Sequence, residues 1–168
     1  MKEVLAIIEK ILEEHRVIIR GVQNLERVAN DAEAMMGFEK AKDAFMPGRL
    51  EPQKGLQKLL ELLGTVDKGL RAHFKREETR LLNAFEKHGD KELASALHSL
   101  LLEHKDIRNR LGHSKRHVAE LASGNMARHL WEASAHDMRA HMSHTRKLLE
   151  AHAAIEQELF SKLKRRLQ

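Results

Sequence analysis

Two His-x3-Glu pairs and two Glu-His doublets stand out in this chain: His73 with Glu77, His152 with Glu156, Glu14-His15 and Glu103-His104. Positions i and i+4 of an α-helix lie on one face, with Cβ atoms roughly 5–6 Å apart. Each pair therefore aims an imidazole and a carboxylate at one point. Because such groups are costly to bury without a partner, their position in apolar stripes indicates one shared metal centre.

The expected ligands are His15, His73, Glu77, His104, His152 and Glu156. With one bond from each imidazole, two from each bridging glutamate and two from a bridging oxo or hydroxo oxygen, two ions receive about ten bonds, whereas two six-coordinate ions need about twelve. About one position on each ion is then left for O₂, NO or peroxide. Imidazole and carboxylate without thiolate suit Fe or Mn, and Zn is possible.

Four long helices must position these ligands. Apolar residues recur at helical spacing in segments predicted at 2–29, 53–87, 90–122 and 126–166, and each ligand lies within such a stripe. A linker with two glycines and two prolines is predicted at 30–52, although 31–45 could form a short helix. The predicted fold class is all-α, an antiparallel up-down four-helix bundle forming a single domain over 1–168.

The predicted turn at His88-Gly89-Asp90 supports this register. Glycine suits the end of a helix and aspartate the start of the next. The midpoint of His73 and His104 falls between His88 and Gly89, so an antiparallel hairpin places the two ligands side by side.

The chain also repeats itself weakly. Residues 12–18 resemble 101–107, and residues 72–82 resemble 151–160. A helix hairpin that carries histidine and then His-x3-Glu thus occurs twice. Two such hairpins packed together would give a pseudo-symmetric site for two metals.

In these motifs the chain resembles the hemerythrin-like HHE cation-binding domains. The matching motifs are the Glu-His ending at His15, the His-x3-Glu-Glu from His73, the Glu-His ending at His104, and the His-x3-Glu from His152, which Leu-Phe follows. The resemblance covers most of the chain except 30–52 and the far C-terminus. It implies a non-haem di-iron site in an antiparallel four-helix bundle.

One departure from that family concerns the third helix. The oxygen-carrying members have His-x3-His there, whereas Arg108 stands at the second position in this chain. The chain therefore looks more like the branch with four histidines and two glutamates, whose members are linked to iron sensing, redox and nitric-oxide responses. Whether it acts as an enzyme stays open.

Composition limits the other partners. The net charge is +5, but basic and acidic residues are interleaved, which is typical of solvated helix faces, so no nucleic-acid partner is expected. No run of about 18 apolar residues exists, so no membrane span is expected. The absence of cysteine fits a cytoplasmic protein. The expected partner is a small diatomic, O₂ or NO, or peroxide.

Alternatives to a metal centre were a basic helical scaffold and a histidine phosphotransfer domain, since His73-Phe74-Lys75 faintly resembles a phosphotransfer site. That site needs an exposed histidine, and Glu77 would repel a phosphoryl group. Ferritin-like sites need Glu-x-x-His, which the sequence lacks. His141 lies on the stripe of the fourth helix but eleven residues before His152. It is interpreted as a surface or second-cluster residue, together with the other histidines away from the predicted centre: His113, His117, His129, His136 and His144.

Overall fold

The computed structural model describes the backbone of residues 2–41, 50–123 and 126–167, and the side chains of these ranges except 31–41, 50–54 and 128. The described elements are α1 (Lys2–Ala41), α2 (Leu50–Arg76), a π-helical turn (Glu77–Leu81), α3 (Leu82–His88), α4 (Lys91–Leu101), α5 (Glu103–Ala122) and α6 (Arg128–Leu167). α2, the π turn and α3 form one continuous rod, and α4 and α5 form another.

The rods form an up-and-down ring. α1 packs on α2, α2 on α5, α5 on α6, and α6 returns to α1. The expected all-α bundle is confirmed. Among the described residues, no helix combines the length and apolar character needed for a membrane span.

The predicted linker at 30–52 is too long. α1 continues to Ala41, because no proline interrupts residues 31–41, and α2 already begins at Leu50. Pro52 lies in the first turn of α2, where a missing N–H costs no intrahelical hydrogen bond. Residues 42–49, which include Pro47 and Gly48, lie outside the described residues.

The central hairpin turns where the sequence predicted. The Gly89 N–H donates to Phe85 O at 2.8 Å, and Asp90 caps α4 by accepting from the Leu93 N–H at 2.8 Å. A Cβ at position 89 would lie 2.7 Å from Phe85 O, so glycine is required there. α6 begins at Arg128, two residues later than predicted.

The apolar core consists of two clusters. One contains Leu59, Leu70 and Met138, and the other contains Ile8, Phe85 and Phe160. Trp131 belongs to the first cluster, and its indole N–H donates to Leu121 O at 3.0 Å. The expected ligands belong to neither cluster and lie along the four rods between them. The fold therefore places a polar layer in the middle of an apolar core.

Candidate metal centre

The structure brings all six expected ligands together. None is more than 5% exposed. His15 comes from α1, and His73 and Glu77 come from the rod of α2 and the π turn. His104 comes from α5, and His152 and Glu156 come from α6. Burial of four imidazoles and two carboxylates at one height requires partners for their polar atoms.

One group of four joins His15 of α1, His73 and Glu77 of the α2 rod, and Glu156 of α6. His15 Nε2 is 2.8 Å from Glu156 Oε2, and His73 Nε2 is 2.5 Å from Glu77 Oε1. His15 Nε2 is also 3.9 Å from Glu77 Oε1. Each residue offers a ligand atom within 4.8 Å of the others, so the group could hold one metal ion.

The second group contains the same two glutamates with His104 and His152. His152 Nε2 is 3.3 Å from Glu156 Oε1, and His104 Nε2 is 3.9 Å from Glu77 Oε1. The two imidazole Nε2 atoms are 3.2 Å apart. Two positions that share both glutamates are the arrangement needed for bridging carboxylates.

Several of these polar atoms are close to one another but are not aligned for a hydrogen bond: both carboxylate oxygens of Glu77 and of Glu156, and Nε2 of His15. The Nδ1 atoms of His15 and His73 are also buried without a hydrogen-bond partner. An unsatisfied buried polar group costs roughly 1–3 kcal/mol. A cation at this place would satisfy several of them at once, so the donor set fits a metal.

A carboxylate lies outside three of the four imidazoles. Glu103 Oε2 is 2.8 Å from His152 Nδ1, and Glu78 Oε1 is 3.2 Å from His104 Nδ1. A carboxylate that accepts from Nδ1–H leaves the lone pair on Nε2, which faces the centre in both rings. These two glutamates therefore orient the rings for metal binding.

The third outer carboxylate is Glu14, whose Oε1 is 3.7 Å from His73 Nδ1. Arg76 holds Glu14, with Nε at 3.0 Å from the same oxygen. The sequence did not predict these roles, although the two Glu-His doublets contain the residues. Glu14 faces His73 and Glu103 faces His152, so each glutamate supports a histidine of the next rod and not the histidine that follows it in sequence.

Glu77 is the first residue of the π-helical turn. The N–H of Leu82 reaches back five residues to Glu77 O, so the turn is one residue wider than an α-helical one. Such turns occur frequently at functional sites. The extra residue coincides with the place where Glu77 enters the core and Glu78 reaches His104. Neither the turn nor the role of Glu78 was predicted from the sequence.

Arg108 lies in the layer outside the ligands. Its Nη1 is 3.3 Å from Glu78 Oε1, and its guanidinium carbon lies 5.9 Å from the centroid of the Phe74 ring. Phe74 in turn stacks on His104, with centroids 3.6 Å apart. Arg108 thus stabilises the outer side of His104.

The two halves of the centre differ despite the sequence repeat. Phe74 follows His73, whereas Ala153 follows His152 at the corresponding position. Glu78 follows Glu77 and supports His104, whereas Gln157 follows Glu156 and is exposed. His15 Nδ1 accordingly has no partner in the described structure. The two four-residue groups are therefore not equivalent.

A cavity of about 10 Å³ adjoins the half that contains His15 and His73, whose Nδ1 atoms have no hydrogen-bond partner. It lies between these two rings, Phe74 and Ala153. That volume is close to the minimum that holds one water molecule. The walls are otherwise aliphatic, from Ile18, Leu70 and Leu149. The space next to the ligands therefore suits a molecule of two or three atoms.

Each of the two four-residue groups contains one histidine whose pKa is raised, His15 or His152, and one whose pKa is lowered, His73 or His104. Burial lowers the pKa of His15, but the Glu156 and Glu77 carboxylates outweigh it and raise the pKa to about 9. Burial, then the charge of His15, lowers the pKa of His73 to about 3. The pKa of His104 is lowered in the same way, to about 4, first by burial and then by the charge of His152.

The glutamates differ as well. Burial, followed by the neighbouring Glu156, raises the pKa of Glu77 well above its ordinary value. Burial acts in the same direction on Glu156, but Glu77, His15 and His152 outweigh it and lower its pKa. Without metal, Glu77 therefore holds a proton beside an ionised Glu156.

The phosphotransfer alternative is wrong for His73. Its side chain is 1% exposed and cannot meet a partner protein. His129, His136 and His144 are exposed on α6, as expected.

Comparison with known protein families identifies a family that the chain matches. The family model described as the Hemerythrin HHE cation binding domain matches residues 6–147. The matched range includes His15, His73, Glu77 and His104 and ends five residues before His152. No curated protein and no solved structure matches the chain.

Loading the metal-free protein is expected to release about two to three protons per chain at pH 7, because ligands must be deprotonated to bind. His15 and Glu77 hold protons without metal, and the pKa of His152 is also raised, since Glu156 and Glu103 outweigh its burial. The proton on His15 competes at every pH below about 9, so metal affinity should rise with pH up to that value. An indicator dye in weak buffer, during anaerobic titration with ferrous ion, measures the release. Loading with no proton release would contradict this assignment.

Glu103→Ala is expected to weaken metal binding by roughly 10–100-fold, as removal of an outer hydrogen-bond partner usually does. Glu103→Gln should retain more affinity, because its amide oxygen can still accept from His152 Nδ1. Asp106→Ala is the matched control, since Asp106 is exposed on the same helix and pairs with Arg110. Competition with a chelator gives the affinities. Equal affinities for Glu103→Ala and Asp106→Ala would exclude the orienting role.

Proposed function

This chain belongs to the hemerythrin HHE cation-binding domain family, and on that premise we propose that it is a non-haem di-iron protein that binds or reacts with O₂, NO or peroxide. The observation that carries the proposal is the pair of four-residue groups that share Glu77 and Glu156. Two ions, and not one, account for both groups. Imidazole and carboxylate oxygen suit iron, with Mn or Zn as the other cations that fit.

The ligand residues have distinct tasks in this proposal. His15 and His73 would hold one ion, His104 and His152 the other, and the two glutamates would bridge. Bound iron would supply redox chemistry and coordination positions for a small molecule. The protein itself supplies the dry surroundings, because the layer lies between two apolar clusters.

The size of the space next to the ligands supports a small ligand. The cavity of about 10 Å³ excludes a metabolite of ordinary size. A larger groove of about 170 Å³ lies on the outer side of His152, between Glu103, Ile107 and Ile155. This groove meets the edge of the ring that carries Nδ1, so Glu103 and His152 separate it from the ligand atoms. A diatomic, or peroxide, that enters by local side-chain motion fits both observations.

Arg108 supports reaction over simple reversible O₂ carriage. Its guanidinium pairs with Glu78 and lies over Phe74, so it supplies no ligand in addition to His104. Without a ligand from position 108, the six expected ligands would leave coordination positions free on both ions. A ligand set with more than one free position favours turnover, and we infer a role in sensing, iron handling or consumption of NO or peroxide.

The protein purified without oxygen from iron-replete cells is expected to contain about two iron ions per chain. Glu77→Ala should lose most of the second ion, because Glu77 belongs to both groups, whereas Glu86→Ala changes an exposed glutamate on the same rod and should lose none. Elemental analysis measures the content, and circular dichroism checks the fold of each variant.

Removal of the metal should lower the melting temperature, since ligand at 100 times its Kd stabilises by about 2.7 kcal/mol. A protein that contains no transition metal would overturn the proposal in favour of a helical scaffold. One zinc ion per chain would replace it with a mononuclear site.

The ferrous protein is expected to bind NO and to oxidise in air within minutes. Arg108→His places an imidazole four residues after His104 on the same face of α5, where it can reach toward the centre. We expect Arg108→His to oxidise more slowly than the control Arg108→Ala, which removes the arginine without adding an imidazole. Near-ultraviolet absorbance measures the rate of oxidation. Wild-type protein that binds O₂ and returns to the ferrous state on removal of the gas would be an oxygen carrier, contrary to this expectation.

A further inference from the structure

A second group of histidines lies on the pair formed by α5 and α6, away from the buried centre. His113 and His117 occupy successive turns of α5, and His141 faces them from α6. The ring centroids are 4.8 Å apart for His113 and His141, and 5.8 Å apart for His113 and His117. His141 stands eleven residues before His152, which is roughly 16 Å along the helix.

The spacing of these rings is that of ligand pairs. In the buried centre, the centroids of His15 and His73 are 4.7 Å apart, and those of His104 and His152 are 5.0 Å apart. Residues four apart on a helix, such as His113 and His117, present both rings on one face. His141 supplies a third ring from the neighbouring helix, and a change of side-chain rotamer is needed to bring one nitrogen of each residue as close together as the ligand atoms of the two buried groups.

The hydrogen bond of His141 leaves one nitrogen for a cation. Its Nε2 lies 3.2 Å from Arg110 O, and a carbonyl oxygen only accepts, so Nε2 carries the proton. Nδ1 then has the lone pair. A backbone carbonyl that fixes the tautomer of a histidine is common behind metal ligands. The guanidinium of Arg110 is directed to Asp106, with Nε at 3.0 Å from Oδ2.

His117 also has one ring nitrogen bonded to protein. Its Nε2 is 2.5 Å from the Ser134 hydroxyl, which can donate or accept, whereas its Nδ1 is buried and has no hydrogen-bond partner. A buried nitrogen without a partner costs free energy that a cation would recover. When the Ser134 hydroxyl accepts from Nε2–H, Nδ1 of His117 carries the lone pair that a cation would bind.

We propose that His113, His117 and His141 form a second metal site, which binds one borderline divalent cation of the Zn²⁺, Ni²⁺ or Co²⁺ class. His113 is exposed, so its ring can rotate to present a nitrogen to the other two. Three imidazoles with an open fourth position are a known zinc arrangement. The absence of carboxylate from the set favours these cations over the hard ions that prefer oxygen.

The protonation of His141 agrees with this site. Burial, then the nearby His113, Arg110 and His117, lowers its pKa, although the hydrogen bond to Arg110 O acts in the opposite direction. The ring is therefore mainly neutral at pH 7, as a ligand must be.

The test uses the full chain with the buried centre already loaded with iron. Titration calorimetry with Zn²⁺ is expected to show one further equivalent per chain, with the iron retained. Since loss of an outer partner alone costs roughly 10–100-fold, His113→Gln, His117→Gln and His141→Gln should each weaken Zn²⁺ binding by at least about tenfold. The exposed His136→Gln and His144→Gln on α6 are the matched controls and should bind as the parent does.

The three variants should also keep the iron content of the parent, because none of the substituted residues belongs to the buried groups. Ser134→Ala should weaken Zn²⁺ binding less than loss of a ring does. The proposal is overturned if the iron-loaded protein takes up no Zn²⁺, or if Zn²⁺ uptake releases iron. Triad variants that bind Zn²⁺ as tightly as the two controls would overturn it as well.

Discussion

The burial of a polar layer inside an apolar core is the constraint on which this structure depends. Six side chains capable of metal binding lie between two hydrophobic clusters, and none is more than 5% exposed. The free energy lost by their unpartnered oxygens and nitrogens must be recovered. All four rods therefore have to present their polar residues at one height, which fixes the register of the bundle more strictly than apolar packing alone.

A ring of carboxylates and arginines connects this layer to the surface. Glu103 and Glu78 each place a proton on the outer nitrogen of a ligand ring, and Arg108 holds Glu78 from outside. The rings cannot turn without breaking these contacts. The centre is thus preorganised for a cation before one binds, and the charge of the outer ring lies partly in solvent, where its desolvation cost is small.

The internal repeat gives two similar halves that differ in detail. The glutamate of each doublet faces a histidine of the next rod in both halves, through Glu14 and Glu103. Phe74 stacks closely on His104, with centroids 3.6 Å apart, whereas the parallel ring of Phe160 lies 6.2 Å from His15 in the other half. Ala153 stands at the position that corresponds to Phe74, and the small cavity is lined by both residues. The two four-residue groups are inequivalent because of this difference in side-chain volume.

The sequence by itself predicted the six residues that the fold brings together, because the i, i+4 spacing and the apolar stripe are local properties of a helix. The contacts between side chains on different rods were decided by the tertiary structure alone. The wide turn at Glu77 has no sequence signature of its own, whereas the continuation of α1 to Ala41 agrees with a local property, the absence of proline from 31–41. The role of Glu78 and the meeting of His113 with His141 depend on the register between helices, which side-chain packing sets and which spacing within one helix does not encode.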